Sequence, residues 1–550
     1  MISLQKDPDG WSIIPSTPDR TIYVDNAGND ITGDGSEGNP YQTIQKACQE
    51  AVDGQSTHII LSENQSFTGN LNDLHGKSGK SNTEPIIIMT KNWNVNGASV
   101  GRATLADSGV KLSGTTSPDH DISMVAFIGI EITVPGYDGS SPGDVINKSG
   151  TAIFTDFYFE DVYMHDCGQV GNVTSDTSYR AFMDFYRCVF DTMYLVGSNN
   201  ECLYGDGAKY TVKECHMIHG GWHDTNKPRS IFVRNLYCQP LSDVKCVGSG
   251  FYDGASENQM RGFAEFVACI VEHTPNMLAI CRGFSGDPHT FPRADGFNGI
   301  IKKAVFTDGI DLDVSNPRAC EVNMSNFSPE RRCLIDDVII QNDSESSGTG
   351  GRGIRVQDLD DLSVTDPDIL NNGINNLTIR KLITHNIRGP AIEMELDRGS
   401  TGTFDNIVIE ECALDITNSN NPIVKQTGTA SITYRNNKYH HQNKLQTDGS
   451  LMHHNGIDKT LAQWIADVEP TAQWFTPSYP DPGRNIPRYY REVLGNPTNG
   501  SDDLDRLAYY DLLRSNRKSS WDTRLLPANL ITWIRQGYGM SLNTRMRVSA

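Results

Sequence analysis

The sequence predicts an all-β solenoid of stacked parallel rungs. Three observations predict it. A short strand-like unit recurs ten times between about residues 150 and 440; apolar and polar residues alternate at period two within the units; and Gly, Asn, Asp, Ser and Thr crowd the gaps between them. The copies begin at Glu160-Asp161-Val-Tyr-Met, Arg187-Cys188-Val-Phe, Glu214-Cys215-His-Met-Ile, Arg234-Asn235-Leu-Tyr and Ala268-Cys269-Ile-Val. They continue with Lys303-Ala304-Val-Phe, Asp336-Asp337-Val-Ile-Ile, Arg380-Lys381-Leu-Ile, Glu411-Cys412-Ala-Leu and Arg435-Asn436-Asn-Lys-Tyr. Counted from the second residue of each, the steps run from 20 to 44 residues. Period-two alternation excludes helical repeats, whose faces recur every 3.6 residues. A β-propeller is the competing architecture, but its hairpins and four-strand blades are not visible. The longest steps, between Asn235 and Lys381, imply inserted loops on one face, and in solenoids that face commonly binds the ligand.

Each element follows from local chemistry. Residues 1–20 are polar and contain Pro, and read as an arm or linker. Thr21-Ile-Tyr-Val-Asp25 is a short strand, followed by a Gly/Asn/Asp-rich turn from Asn26 to Pro40. Tyr41 to Val52 reads as a helix with Ile44, Ala47, Cys48 and Ala51 on one stripe. It would cover the open end of the solenoid, whose unpaired edge needs protection. The solenoid spans 21–450. From about 455 to 550 the pattern turns helical, with candidates at Leu461–Val468, Ile486–Leu494, Ser501–Leu513 and Leu526–Gly537. Ser501 suits an N-cap with acids behind it, and Pro527 and Gly537 frame the last helix. The aromatics Trp464, Tyr489, Tyr509 and Trp533 in this small helical domain read as packing residues.

The formal charge of −21 excludes a nucleic-acid-binding face of ordinary basic character. No stretch of about 18 apolar residues occurs, so no membrane span is expected. The 12 cysteines contain no CxxC pair and no zinc-finger spacing. Several sit inside apolar strand patterns, as buried small hydrophobes would in a reducing compartment. Met1-Ile-Ser-Leu-Gln-Lys-Asp-Pro is not a secretory leader. An extracellular or virion-associated location therefore implies release by lysis, or a leader absent from this sequence.

The densest polar constellation lies between about 200 and 300. It runs His216-Met-Ile-His219-Gly-Gly-Trp222-His223-Asp224, then Ile231-Phe-Val-Arg234-Asn235-Leu-Tyr237. Next come Ser256-Glu257-Asn258-Gln259-Met-Arg261, Val271-Glu272-His273-Thr-Pro-Asn276 and an Arg282 to Asp295 loop with His289 and Arg293. Equivalent positions on neighbouring rungs lie about 4.8 Å apart. His219, Tyr237, Arg261 and Glu272 are therefore expected to share one groove.

This series resembles the right-handed parallel β-helix carbohydrate-active proteins of marine bacteria and phages, the tailspike depolymerases and pectate-lyase-like enzymes. The Gly28-Asn29-Asp30…Asp34-Gly35 turn and following helix are similar to how many such enzymes begin, and Trp533-Ile-Arg-Gln-Gly-Tyr-Gly is similar to how the group ends. In that group a His-x-Gly-Trp turn precedes an Asn-x-Tyr strand and a Ser-x-x-x-Gln-x-Arg segment. The carry-over touches His219, Trp222, Asn235, Tyr237, Gln259 and Arg261, while Arg234 and Glu257 stand where His is common. The resemblance implies a right-handed, single-stranded parallel β-helix that cleaves a bacterial or marine exopolysaccharide.

Two mechanisms follow from it. A glycoside hydrolase needs two carboxyl groups about 5 Å apart if retaining and about 6.5–9.5 Å apart if inverting. The candidates are Asp206, Asp224, Glu257, Glu272 and Asp295. A lyase acting on a uronate needs a base, from Arg261, Lys245 or His219, and an acid, from Tyr237 or a His. Substrate contacts are expected from Trp222, His223, Arg234, Asn235, Gln259, Arg282, His289, Arg293 and Asp295. No cofactor is expected, with calcium left open by Asp308-Gly-Ile-Asp311-Leu-Asp313 and by Ala294-Asp295-Gly-Phe-Asn298, which is similar to a calcium segment of some related families. A phage tailspike reading implies a homotrimer; a secreted bacterial enzyme implies a monomer; a non-catalytic adhesin implies binding without cleavage.

Overall fold

Short parallel strands and tight two-residue corners build the protein. The computed structural model describes residues 1–93, 101–106, 112–114, 121–134, 145–148, 154–168, 171–174, 181–192, 203–220, 235–238, 242–254, 258–260, 263–274, 278–280, 297–308, 322–325, 332–342, 351–357, 376–395, 405–417, 420–428 and 431–540. They form two compact units, Met1–Val244 with Tyr510–Leu525, and Lys245–Tyr509 with Leu526–Ala550. Residues 510–525 thus group with the first part of the chain.

Each unit is a parallel β-helix whose turns lay one strand on each of three sheets. In unit 1 the first face runs from Arg20–Val24 to Ala208–Lys213. The second runs from Leu112–Gly114 to Leu236–Cys238, and the third from Ser66–Phe67 to His216–Ile218. In unit 2 the first face runs from Phe263–Val267 to Ile432–Arg435 and the second from Asn258–Met260 to Met452–His454. The third face of unit 2 runs from Gly250–Tyr252 to Gln473–Trp474. Alternate residues point inward and repeat in register, so like side chains stack. Phe127, Phe159 and Phe185 lie 4.9 and 4.8 Å apart, centroid to centroid, with rings nearly parallel.

The corner from first to third face has two residues. The first is left-handed: Asp161, Arg187 and Glu214 in unit 1, then Gly248, Ala268, Lys303, Asp337, Lys381, Glu411 and Asn436 in unit 2, with φ between 51° and 62°. The second turns inward and is buried, as at Val162, Cys188, Cys215, Cys269, Ala304 and Cys412. Nine of the ten sequence repeats fall on this corner. The exception is Arg234-Asn235: Asn235 opens the second-face strand Leu236–Cys238, and the corresponding corner is Gly248-Ser249. The nine described cysteines are buried and unbridged, and burial pushes the Cys269 and Cys412 thiols up to about 12.

Both ends are capped. Helix Ile44–Glu50, N-capped by Thr43, buries Ile44, Ala47 and Cys48 at the start. At the other end helix Leu461–Asp467 carries a Thr460/Gln463 capping box. Its Trp464 is fully buried edge-on to Tyr434 and Tyr439. The predicted C-terminal helices appear as Leu461–Asp467, Ile486–Glu492, Asp502–Ser515 and Pro527–Gly537.

Two faces carry terminal segments. Residues 1–14 are not a free polar arm: Ile2, Leu4, Trp11 and Ile14 are buried against the first face of unit 1, over Ile60, Ile87, Met89, Ala126 and Ile128. Those positions point outward, yet are apolar, so they need a cover. Lys6 Nζ donates to Tyr158 at 2.6 Å and Ser12 N to Glu160 at 3.0 Å, fixing the strap. On the third face of unit 2, Arg506 binds Glu272, Gln341 binds the Arg484 carbonyl, and Arg535, 1 % exposed, binds Asp337.

Ala268 is left-handed without being glycine, so Ala268→Gly is expected to stabilise the protein by about 0.5–1 kcal/mol, relief of the backbone clash exceeding the added chain entropy. At the next corner Ala304→Gly removes an inward, fully buried methyl and is expected to destabilise by about 1 kcal/mol or more. Urea unfolding midpoints of the two variants check both signs.

Candidate functional site

The second face is bordered by the long segments. Seventeen residues separate Ile218 from Leu236, 16 separate Ile280 from Phe297, 14 separate Thr307 from Val322 and 19 separate Gln357 from Leu377. From Asp161 on, the opposite corner is two residues on each rung, for the left-handed reason above; before it, the chain takes 12 residues from Thr90 to Ala103. In unit 1 the second face presents Tyr204 and Tyr237 in register, their half-buried rings stacked at 5.8 Å and 27°. In unit 2 it presents Arg355, Glu393 and Lys425 in register. Glu393, 1 % exposed, pairs with Arg352 and with Lys425 Nζ at 2.6 Å, and Arg355 Nη2 pairs with Glu395 at 2.5 Å. Burial alone would raise the Glu395 carboxyl, but the Arg355 bond together with the charges of Arg355, Arg352 and Lys425 outweighs it and holds the group below its ordinary value. Burial lowers the Lys425 ammonium.

A second polar row marks the exit from the third face toward these long segments. Its residues are again left-handed: Asp166, Thr192 and His219 in unit 1, and Asp253, His273, Asp308 and Asn342 in unit 2. His273 Nδ1 lies 2.8 Å from Asp253 Oδ1. Burial opposes the charged imidazole, but the Asp253 bond together with the charges of Glu272 and Asp253 raises His273 overall. Burial, reinforced by Glu272, raises the Asp308 carboxyl to about 7.

The expected set is not brought onto one groove. Tyr237 lies on the second face, as does the strand position of Gln259. His219 follows the third-face strand His216–Ile218 and sits edge-on to Tyr510 at 5.5 Å. Its Nδ1 is 3.0 Å from Arg514 Nη2 and 3.2 Å from Asp191 Oδ1. A guanidinium only donates, so the neutral ring accepts from Arg514 and a protonated Nδ1 donates to Asp191. Glu272 lies on the third face of unit 2, fully buried, 2.5 Å from Arg506. Asn235 is buried at the rung wall. Lys245 lies on the first face, 3.5 Å from Glu265. Asp224, Glu257, Arg261, Trp222, His223, Arg234, Arg282, His289, Arg293 and Asp295 lie outside the described residues, as do Asp311 and Asp313 of the calcium reading. Asp308 was named only in the calcium reading, and Asp253, Glu393 and Glu395 were not in the expected site. The alternation Ile392-Glu393-Met394-Glu395, two acids on one side of a strand, was the legible signal for the last two.

No family model and no curated protein matches the chain. Among solved structures it is similar to a rhamnogalacturonan lyase at 10 % identity, covering 80 % of this chain and 86 % of that one, with a TM-score of 0.28. It is also similar to the catalytic unit of a GH87 α-1,3-glucanase from Streptomyces thermodiastaticus strain HF3-3, at 12 % identity, 78 % and 65 % coverage and a TM-score of 0.37. A family 28 exopolygalacturonase from Yersinia enterocolitica is similar at 9 % identity, 83 % coverage of each chain and a TM-score of 0.24. The fold assignment rests on the strand register, not on these likenesses.

Burial would raise Asp191, but His219 and Arg514, whose Nε lies 2.6 Å away, hold its carboxyl well below the usual range. Arg514→Met leaves that charge buried and is expected to cost about 3 kcal/mol at neutral pH. Because the folded carboxyl is depressed, the pair's contribution is complete above the unfolded value of about 3.9 and fades as pH falls below it. Urea unfolding of both proteins from pH 7 to 3 should show the gap narrowing below about pH 4; a constant gap would refute the ion-pair account.

Proposed function

We propose that the protein binds polysaccharide on the second face of each unit and cleaves its glycosidic bonds. One observation carries this reading: from Asp161 on, the longest inter-strand connections begin or end at strands of that face, while terminal segments lie over the first face of unit 1 and the third face of each unit. A regular ladder offers a polymer a repeated set of contacts along its length. The Tyr204–Tyr237 stack supplies a flat aromatic surface with hydroxyl edges suited to sugar rings. Hydrolysis is the first form of the reading, because carboxyl groups at Glu393 and Glu395 stand on the second face of unit 2 and those at Asp253 and Asp308 at the exit from its third face. β-Elimination is the second, favoured by Arg352, Arg355 and Lys425, whose cations suit a uronate carboxylate.

Incubation with a panel of marine and capsular polysaccharides, following reducing ends and the ultraviolet absorbance of unsaturated uronates, tests the reading. New reducing ends without absorbance mean hydrolysis; both signals together mean elimination. Binding with neither signal leaves an adhesin, and no binding at all overturns the proposal. Tyr204→Ala and Tyr237→Ala are each expected to weaken glycan binding about two- to tenfold, the worth of one aromatic stack.

A further inference from the structure

On successive rungs of unit 2, Asp253, His273, Asp308 and Asn342 leave the third face in the same left-handed conformation. Backbone bonds hold them in step, Asp253 N donating to the Glu272 carbonyl and His273 N to the Thr307 carbonyl. Rungs lie about 4.8 Å apart, so the Asp253 and Asp308 backbones stand about 10 Å from one another with His273 between them. Asp and His tolerate positive φ better than most residues. Among the described residues the Asp308 Oδ2 atom is buried and has no hydrogen-bond partner. A buried carboxyl oxygen without a partner is costly unless it carries or meets a proton.

We propose that Asp308, His273 and Asp253 form an acid–base centre for glycan cleavage, Asp308 donating the proton to the leaving oxygen and His273, positioned by Asp253, accepting one from the attacking water. The inference rests on the glycan-cleaving reading above and names its chemistry. In the step, the Asp308 O–H proton passes to the glycosidic oxygen as the bond from that oxygen to the anomeric carbon breaks. A water oxygen bonds to the anomeric carbon and its proton goes to the neutral imidazole. Transfer of that proton from His273 back to Asp308 restores the centre, so one water is consumed per bond cleaved. An acid of this kind must be protonated at working pH, and burial beside Glu272 raises Asp308 in that direction. The groups facing Asp308 are Glu272 and His273 from the neighbouring rung, Asn342 from the next, Arg506 from helix Asp502–Ser515 and Tyr538 beyond helix Pro527–Gly537. Arg506 is engaged with Glu272 and Asp503, which limits its pull on the Asp308 proton.

The test uses the full chain and a polysaccharide that the wild-type protein cleaves. Asp308→Asn is expected to lower kcat about a hundredfold or more, with glycan binding by affinity electrophoresis unchanged and the alkaline limb near pH 7 abolished. Asp253→Asn is expected to shift the acidic limb to lower pH, because His273 loses the carboxylate that raises it. Wild-type-like cleavage by Asp308→Asn overturns the assignment and leaves the function standing. If Asp308→Asn does not fold, an unmoved acidic limb in Asp253→Asn overturns it instead. A wild-type protein that cleaves no polymer in the panel overturns the glycan-cleaving reading and this centre with it.

Discussion

The two-residue corner between the first and third faces is the constraint on which the rest depends. A left-handed residue reverses the chain direction in the least possible length, and the residue after it drops a small side chain into the core. With that corner fixed at two residues on rung after rung, strands on either side keep register without help from loop sequence. From Asp161 on, insertions fall elsewhere, whereas earlier the chain takes 12 residues from Thr90 to Ala103 at that corner. Variable length in the later rungs therefore collects at the connections to and from the second face, without disturbing the ladder. Fold regularity and site variability are consequences of one local conformation.

The outward rows explain where the terminal segments go. On the first face of unit 1 the outward positions are apolar, and a strap bearing Ile2, Leu4, Trp11 and Ile14 covers them. On the third face they are charged or aromatic, and the helical segments bring arginines to them: Arg514 to Asp191 in unit 1, Arg506 to Glu272 in unit 2. Such buried pairs are weak evidence of net stability. Their geometry does specify which rung each arginine meets, since a shift of one rung would leave a carboxylate buried without its cation.

The rungs were legible in the sequence because the corner has a signature: a polar residue that tolerates positive φ, a small apolar residue, then alternation. Asn235 imitated that signature. A polar pair before Leu-Tyr looks the same whether it opens a second-face strand or turns a corner, and the real corner at Gly248-Ser249 carried no charge to mark it. Spacing of 20 to 35 residues identified neighbouring rungs but not the face, and for that reason His219 and Glu272 were grouped with Tyr237 although they leave the chain on another sheet. The N-terminal segment misled because its four buried apolar residues, Ile2, Leu4, Trp11 and Ile14, follow no period that reveals that they meet the outward side of a distant sheet. The helices of the C-terminal region were legible from caps and periodicity; what they cover was not, because an arginine's partner 234 or 323 residues away leaves no local trace.

Residues Tyr510–Leu525 belong with the first part of the chain, and Asp191 waits for Arg514 across 323 residues. A solenoid ordinarily assembles from neighbour to neighbour, each new rung templated on the last as the chain emerges from the ribosome. Here the early rungs form with a charged, unfinished flank that is covered only when a segment 323 residues beyond Asp191 arrives. Completion of unit 1 is consequently set by a late docking step rather than by rung growth. Until then Asp191 stands without its guanidinium partner, a mark by which the partly made protein differs from the finished one.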